Sequence, residues 1–210
     1  MLEKIAYYQQ ENNSDKVNIE LALALCAAGD NEAIREIYEG LFHPNPAIAG
    51  DCIKVLYEIG RRRPALISDY VAGFIDLLSS KNNRLVWGSM CALAAITPLK
   101  SDYLYRNLDR ILAAYRNGTV ITVDHAVSVL AELCKADPRY STKIFPLLIE
   151  HLETCRLKEI PQHAERIAIA VNPAQLASFS ETVKKREALL SNSQRQRLNK
   201  LLKSLEAPTT

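Results

Sequence analysis

The sequence predicts an all-helical chain, an α–α superhelix in which antiparallel helix pairs stack as a right-handed solenoid. Three observations carry that prediction. Apolar residues recur in columns 37 residues apart. Within each repeat they follow helical rather than strand spacing. Proline, asparagine and glycine fall where helix pairs must turn.

The columns are explicit. Leu56, Leu93, Leu130 and Ile167 step by 37, as do Ile37, Phe74, Ile111 and Leu148. Ile34, Val71, Leu108 and Phe145 form a third column, and Leu41, Leu78, Tyr115 and Leu152 a fourth. Ile59, Ile96, Leu133 and Ala170 form a fifth. Inside one repeat, Ile34, Ile37, Tyr38 and Leu41 lie at i, i+3, i+4 and i+7, one apolar face of a helix. Ala49, Cys52, Ile53, Leu56, Ile59 and Gly60 make a second, wider stripe. Each repeat is therefore a pair of helices, A then B.

In chain order, the spacing predicts a first helix over 2–10 and an unpaired B-like helix over 15–28, together an N-terminal cap over 1–30. Four A/B pairs follow over 31–171: 31–42 with 46–62, 66–79 with 83–96, 101–116 with 120–136, and 140–154 with 161–171. His43-Pro44-Asn45-Pro46, Ser79-Ser80-Lys81-Asn82-Asn83 and Arg116-Asn117-Gly118-Thr119 separate A from B. Arg63-Pro64, Thr97-Pro98 and Asp137-Pro138 separate B from the next A, because a residue before proline avoids the helical region. Pro146 falls inside the fourth A helix, where it should kink that helix or delay its start. The register fails after Val171, since Thr182 stands where the Phe145 column needs an apolar residue. Two helices near 173–191 and 193–205 are thus expected as a C-terminal cap over 172–206, with 207–210 a tail expected to lack order. The whole chain reads as one repeat domain.

Composition excludes several classes. Glycine is scarce, at 7 of 210 residues, which disfavours sheet. The longest apolar stretch, Leu21 to Ala28, is too short to span a membrane, and the start does not read as a signal peptide. Cys26, Cys52, Cys91, Cys134 and Cys155 are odd in number and form no CxxC pair, so they read as small buried hydrophobes in a reducing cytoplasm. The net charge of +2 hides a polarity: residues 1–60 sum to −6 and residues 180–206 to +4.

The helix-pair length, the aliphatic A helix and the B-helix openings Asn45-Pro46-Ala47-Ile48-Ala49 and Asn82-Asn83-Arg84-Leu85-Val86 resemble HEAT repeats over residues 31–171. The resemblance implies a curved superhelix whose B helices line the concave face, usually a scaffold for protein partners. The linkers leave no room for the third helix of armadillo units.

If B helices line a concave face, positions stepping by 37 read out its surface. The first row is Gly50, Lys54, Tyr57, Glu58 and Arg61; the second is Trp87, Cys91, Ala94, Ala95 and Pro98. The third is Asp124, Ser128, Ala131, Glu132 and Lys135; the fourth is Pro161, Glu165, Ala168, Ile169 and Asn172. The apolar second row holds the single tryptophan of the chain, so the expected partner site is Tyr57, Trp87, Ala94 and Asp124, rimmed by Lys54, Arg61, Glu132 and Lys135. A competing reading takes Trp87 as ordinary core. A second function reading is nucleic-acid backbone binding through Arg61, Arg62 and Arg63 and through Lys184, Lys185 and Arg186 in the basic C-terminal helices. For the arginine run, the simpler reading is that it complements the negative end of a helix.

No catalytic, cofactor or metal residues are expected. There is no GxGxxG or GxxxxGK[ST]. Asp124 and His125 adjoin in sequence but diverge on a helix, and Cys91 and Cys134 lack an evident base. Of His43, His125, His151 and His163, the B-helix members His125 and His163 have no second ligand four residues on. HEAT-like-repeat DNA glycosylases place aromatics, an aspartate and arginines in such a concavity. Trp87 and Asp124 are superficially similar, but a second tryptophan is missing and position 91 is Cys rather than Asp. Nothing reads as the tetrapyrrole site of the related phycobilin lyases. A homo-oligomer is allowed, since the ends and free A-helix faces of a solenoid can pair.

Overall fold

The computed structural model describes residues 1–10 and 14–206, and they are helical with no strand among them. The expected tail at 207–210 lies outside the described residues. No helix is long and apolar enough to cross a membrane. The chain divides into two compact units, Met1–Ala126 and the part from Val127 onward.

In the N-terminal unit the first expected helix is shorter than its pattern: a 3-10 turn at Leu2–Lys4 and a single α-helical turn, α1 (Ala6–Gln9). Next come α2 (Ser14–Ala28), α3 (Asn31–Glu39), α4 (Pro46–Arg62), α5 (Val71–Leu77), α6 (Asn83–Arg106) and α7 (Leu108–Asn117). Gly29, at φ +64°, closes α2 in the left-handed conformation that a glycine accepts without cost. The caps explain the starts. Asp30 accepts from the Ala33 N–H, Asn45 from Ala47 and Asn82 from Arg84, so the first two B helices open on asparagines 37 apart. Pro46 then occupies the first turn of α4, where its missing N–H is harmless.

The second expected A helix, 66–79, is α-helical only over Val71–Leu77 after 3-10 turns at Pro64–Leu66 and Ser68–Tyr70, the helix expected near 173–191 only over Leu176–Lys185, and one expected break is misplaced. The helix that should end at Thr97-Pro98 continues as α6 and breaks only at Lys100 (φ −132°, ψ 27°). Thr97 stays helical, its hydroxyl donating to the Leu93 carbonyl at 2.8 Å. Pro98 is exposed and Ala94, whose carbonyl loses its donor, is half-buried, so this missing bond is tolerated near water. Residues 101–106 therefore belong to the segment beyond the kink, and Asn107 separates them from α7.

The boundary between the units falls within α8 (Val120–Ala136). The C-terminal unit contains α9 (Pro138–Thr154), α10 (Ile160–Ala168), α11 (Leu176–Lys185) and α12 (Asn192–Glu206). Asp137 caps α9 through the Arg139 N–H at 2.7 Å. Pro146 sits inside α9 without ending it; both it and Thr142, one turn earlier, lie on the exposed side. α9 packs on α10 and α11, and α10 on α12.

The 37-residue columns lie in the core. Every member is buried except Tyr115, which is half-buried. At about 25 cal/mol per Å² of buried apolar surface, their burial is a large share of the attraction that holds the helices carrying them, while α2, α11 and α12 bury apolar residues of their own such as Leu25, Phe179 and Leu198.

Candidate functional site

The expected partner site begins on α4. This helix packs against α2, α3 and α6, and every residue from Ile48 to Gly60 is buried. The expected surface row on it is thus corrected: Gly50, Lys54, Tyr57 and Glu58 are covered and Arg61 alone is exposed. The Arg84 side chain covers Gly50, where a Cβ would come within 2.8 Å of it.

Burying Lys54 and Glu58 demands compensation, and the sequence supplies it locally. The Glu58 side chain is 5% exposed and receives three cations: Lys54 Nζ at 3.1 Å, Arg61 Nη1 at 3.0 Å and Arg62 Nη1 at 2.6 Å. These sit at i−4, i+3 and i+4 on one helix, the spacings at which side chains meet. Burial pushes the Glu58 carboxyl up, but the bonds from Arg62 and Lys54 outweigh it and hold the group below the ordinary glutamate range. Burial lowers Lys54, yet Tyr57 and Glu58 raise it above its usual value. Tyr57 is pushed up by burial. Lys54 and Arg61 each stand 5.0 Å from the Tyr57 ring centre, and the Trp87 ring lies tilted against it at 5.7 Å. Trp87 is half-buried, as are Ala94 and Ala95, two turns further along α6; Cys91 between them is buried.

The remaining expected residues are placed separately. Asp124 is half-buried on α8; Glu132 is half-buried and Lys135 exposed, both in the C-terminal unit. Five of the six cations of the nucleic-acid reading, all but Lys184, bond to groups within their own units. Arg62 Nη1 also donates to the Glu58 carbonyl at 2.7 Å, and Arg63 Nη1 to the Cys26 carbonyl at the end of α2. Lys185 pairs with Glu181 at 3.2 Å, and Arg186 Nη1 donates to the carbonyls of Leu152 at 2.9 Å and Cys155 at 2.6 Å. Lys184 is exposed.

A second cluster lies wholly in the C-terminal unit. His151 and His163 are buried, and His151 Nε2 stands 2.7 Å from His163 Nδ1. Cys155 completes a trio whose donor atoms all lie within 4.8 Å of one another. His151 lies in the last turn of α9, Cys155 follows four residues on as the residue that caps its C-terminus, and His163 comes from α10. His125 and His163 have no ligand four residues on, whereas His151, not singled out by its sequence context, has one in Cys155. That spacing was legible; the approach of His163 across the intervening turn was not. Burial pushes the Cys155 thiol up, while the Arg186 guanidinium, 3.9 Å from the sulfur, pulls against it.

No family model matches the chain, and no curated protein matches it. Among solved structures it is similar to the crystal structure of an engineered protein from a structural genomics consortium. The TM-score is 0.62 at 15% identity, over 98% of this chain and 95% of that one. At that identity the likeness speaks for fold alone. The chain is an all-helical, repeat-like protein.

Proposed function

We propose that this chain is a HEAT-like helical-repeat scaffold, a non-catalytic cytoplasmic protein that binds a protein partner. The observation that supports it best is the half-exposed Trp87, seated on the Tyr57 ring beside Arg61 and next to the small, half-exposed Ala94 and Ala95. A tryptophan whose underside is already packed loses little rotamer entropy on binding, and aromatic and arginine anchors dominate protein interfaces. Lys54 and Tyr57 act beneath this surface as supports rather than as contacts. The proposal is confined to α4 and α6. Five free cysteines, four of them buried, suit a reducing compartment. The superhelical stacking rests on the 37-residue columns and on their burial.

Affinity purification from the native source, with the wild type and Trp87→Ala as parallel baits, tests this. We expect at least one protein recovered with the wild type to fall about tenfold with the variant. A half-buried side chain should cost about 1–2 kcal/mol of stability, so the variant remains folded in a thermal melt. Equal recovery by a folded variant overturns the site; a variant that unfolds assigns Trp87 to the core.

A further inference from the structure

We propose that His151, Cys155 and His163 form a binding site for a divalent transition metal of the zinc class, with a water molecule or a small anion as fourth ligand. The inference is independent of the partner-binding reading, because it concerns other residues in the other unit.

The donor set comes first. Two imidazoles and a thiolate are the ligands such ions prefer, and calcium and magnesium, which take oxygen, are disfavoured. The spacing comes second. His151 ends α9 and Cys155, its C-cap, is held one turn on by its N–H bonded to the His151 carbonyl at 2.8 Å; His163 reaches them from α10, so the ion would tie the end of α9 to α10 across the short turn Leu157–Glu159. The distances come third. Around tetrahedral zinc the ligand nitrogens stand about 3.3 Å apart, and nitrogen and sulfur about 3.6 Å apart. The two ring nitrogens therefore need to part by about 0.6 Å from their present 2.7 Å, and the sulfur to close in from a separation of at most 4.8 Å.

Charge and access complete the argument. A zinc-class ion with one thiolate leaves the site at +1, and Arg186 beside the sulfur adds to that. Glu159 offsets it, since its negative charge is felt at Cys155. The residual positive field favours an anion or hydroxide over neutral water in the fourth position. Cys155 is half-buried while both histidines are buried, so an ion can enter from the cysteine side. On binding, the thiol gives its proton to solvent and its sulfur lone pair to the metal. The histidines give up the hydrogen bond between them. No redox partner is needed.

The test uses the full chain, stripped with a chelator and titrated with zinc and with cobalt(II). We expect one equivalent of zinc by equilibrium dialysis. Cobalt should give a near-ultraviolet thiolate-to-metal band and the strong visible absorption of four-coordinate geometry. Binding must weaken on acidification, because all three ligands then hold protons. Cys155→Ser should abolish the near-ultraviolet band and weaken zinc binding at least tenfold, and His163→Asn should weaken zinc binding by as much; His43→Gln, in the other unit, should leave both the band and the affinity intact. If His163→Asn fails to fold, Cys155→Ser, at a half-exposed position, decides alone. Binding below one equivalent, a cobalt spectrum without the thiolate band, or unchanged zinc affinity in Cys155→Ser would each overturn the site.

Discussion

The two units each bury a polar cluster, and they solve the cost in different ways. In the N-terminal unit Glu58 is answered by Lys54, Arg61 and Arg62, all from the same helix. The cations of Glu58 thus come from its own helix, and Tyr57 and Trp87 cover it with aromatic surface. In the C-terminal unit the buried groups are neutral-capable rings, His151 and His163, brought together from two helices and bonded to each other. A carboxylate cannot escape its charge except by taking a proton, so it needs cations nearby. A pair of imidazoles can share one proton between two nitrogens, and that same pair is poised to accept an ion. Local ionic closure favours rigidity beneath a surface; ligands converging from two helices favour a site that something can enter.

The largest expected effect breaks the first half of that comparison. Glu58→Ala leaves Lys54, whose side chain is 10% exposed, without its nearest anion. Removing one partner of a buried charge set costs about 3–5 kcal/mol, and we expect that range in chemical denaturation of the full chain. Asp15, 3.8 Å from Lys54 and exposed, recovers part of the loss. A cost below about 1 kcal/mol would mean that the cluster is effectively solvated and that no rigid floor lies under Trp87.

Next in size is the response to acid. Because the folded state holds the Glu58 carboxyl below its ordinary value of 4.5, the folded protein gives up that proton more readily than the unfolded chain does. The group's contribution is then fully present above that ordinary value and is lost as pH falls through the lower folded value. Stability measured from neutral pH downward should therefore decline on the acid side of about 4.5, and the decline should be shallower in Glu58→Gln, which has no carboxyl to protonate. Parallel acid profiles for the two proteins would remove Glu58 from the account.

How much of this was legible depends on whether the information is periodic or convergent. The apolar columns are periodic, and nearly every column residue is buried; the ends of α4 fall where the sequence placed them, because Asn45-Pro46 and Arg63-Pro64 are chemically unambiguous. Pro98 misled, because a proline ends a helix only when the orphaned carbonyl has no water to turn to. The first surface row misled for another reason. Helical phase tells which residues point away from one neighbour, but α4 has neighbours on several sides, and phase alone does not count them. The charge polarity along the sequence also has a local meaning that composition hides. Cations reach back about one repeat to acids: Arg84 to Asp51, Lys100 to Asp69 and Arg110 to Asp76, and further along Arg197 to Glu165. Each of those pairs is readable only once the helices are packed together.

The smallest effect sharpens the line between support and contact on α4. Arg61 is half-exposed, binds Glu58 at 3.0 Å and lies over the Tyr57 ring. Lys54 and Arg62 remain on Glu58 when it is removed, and exposed ion pairs contribute only about 0.2–1 kcal/mol. Arg61→Ala should therefore shift the denaturation midpoint little, well below the effect of Glu58→Ala. If Arg61 is a rim contact beside Trp87, the variant should still lose partner recovery in the purification that tests Trp87, with a loss that grows smaller at higher salt. An Arg61→Ala protein that is strongly destabilised would place the arginine with Lys54 and Glu58 as part of the floor, and would leave Trp87 alone as the contact residue on that face.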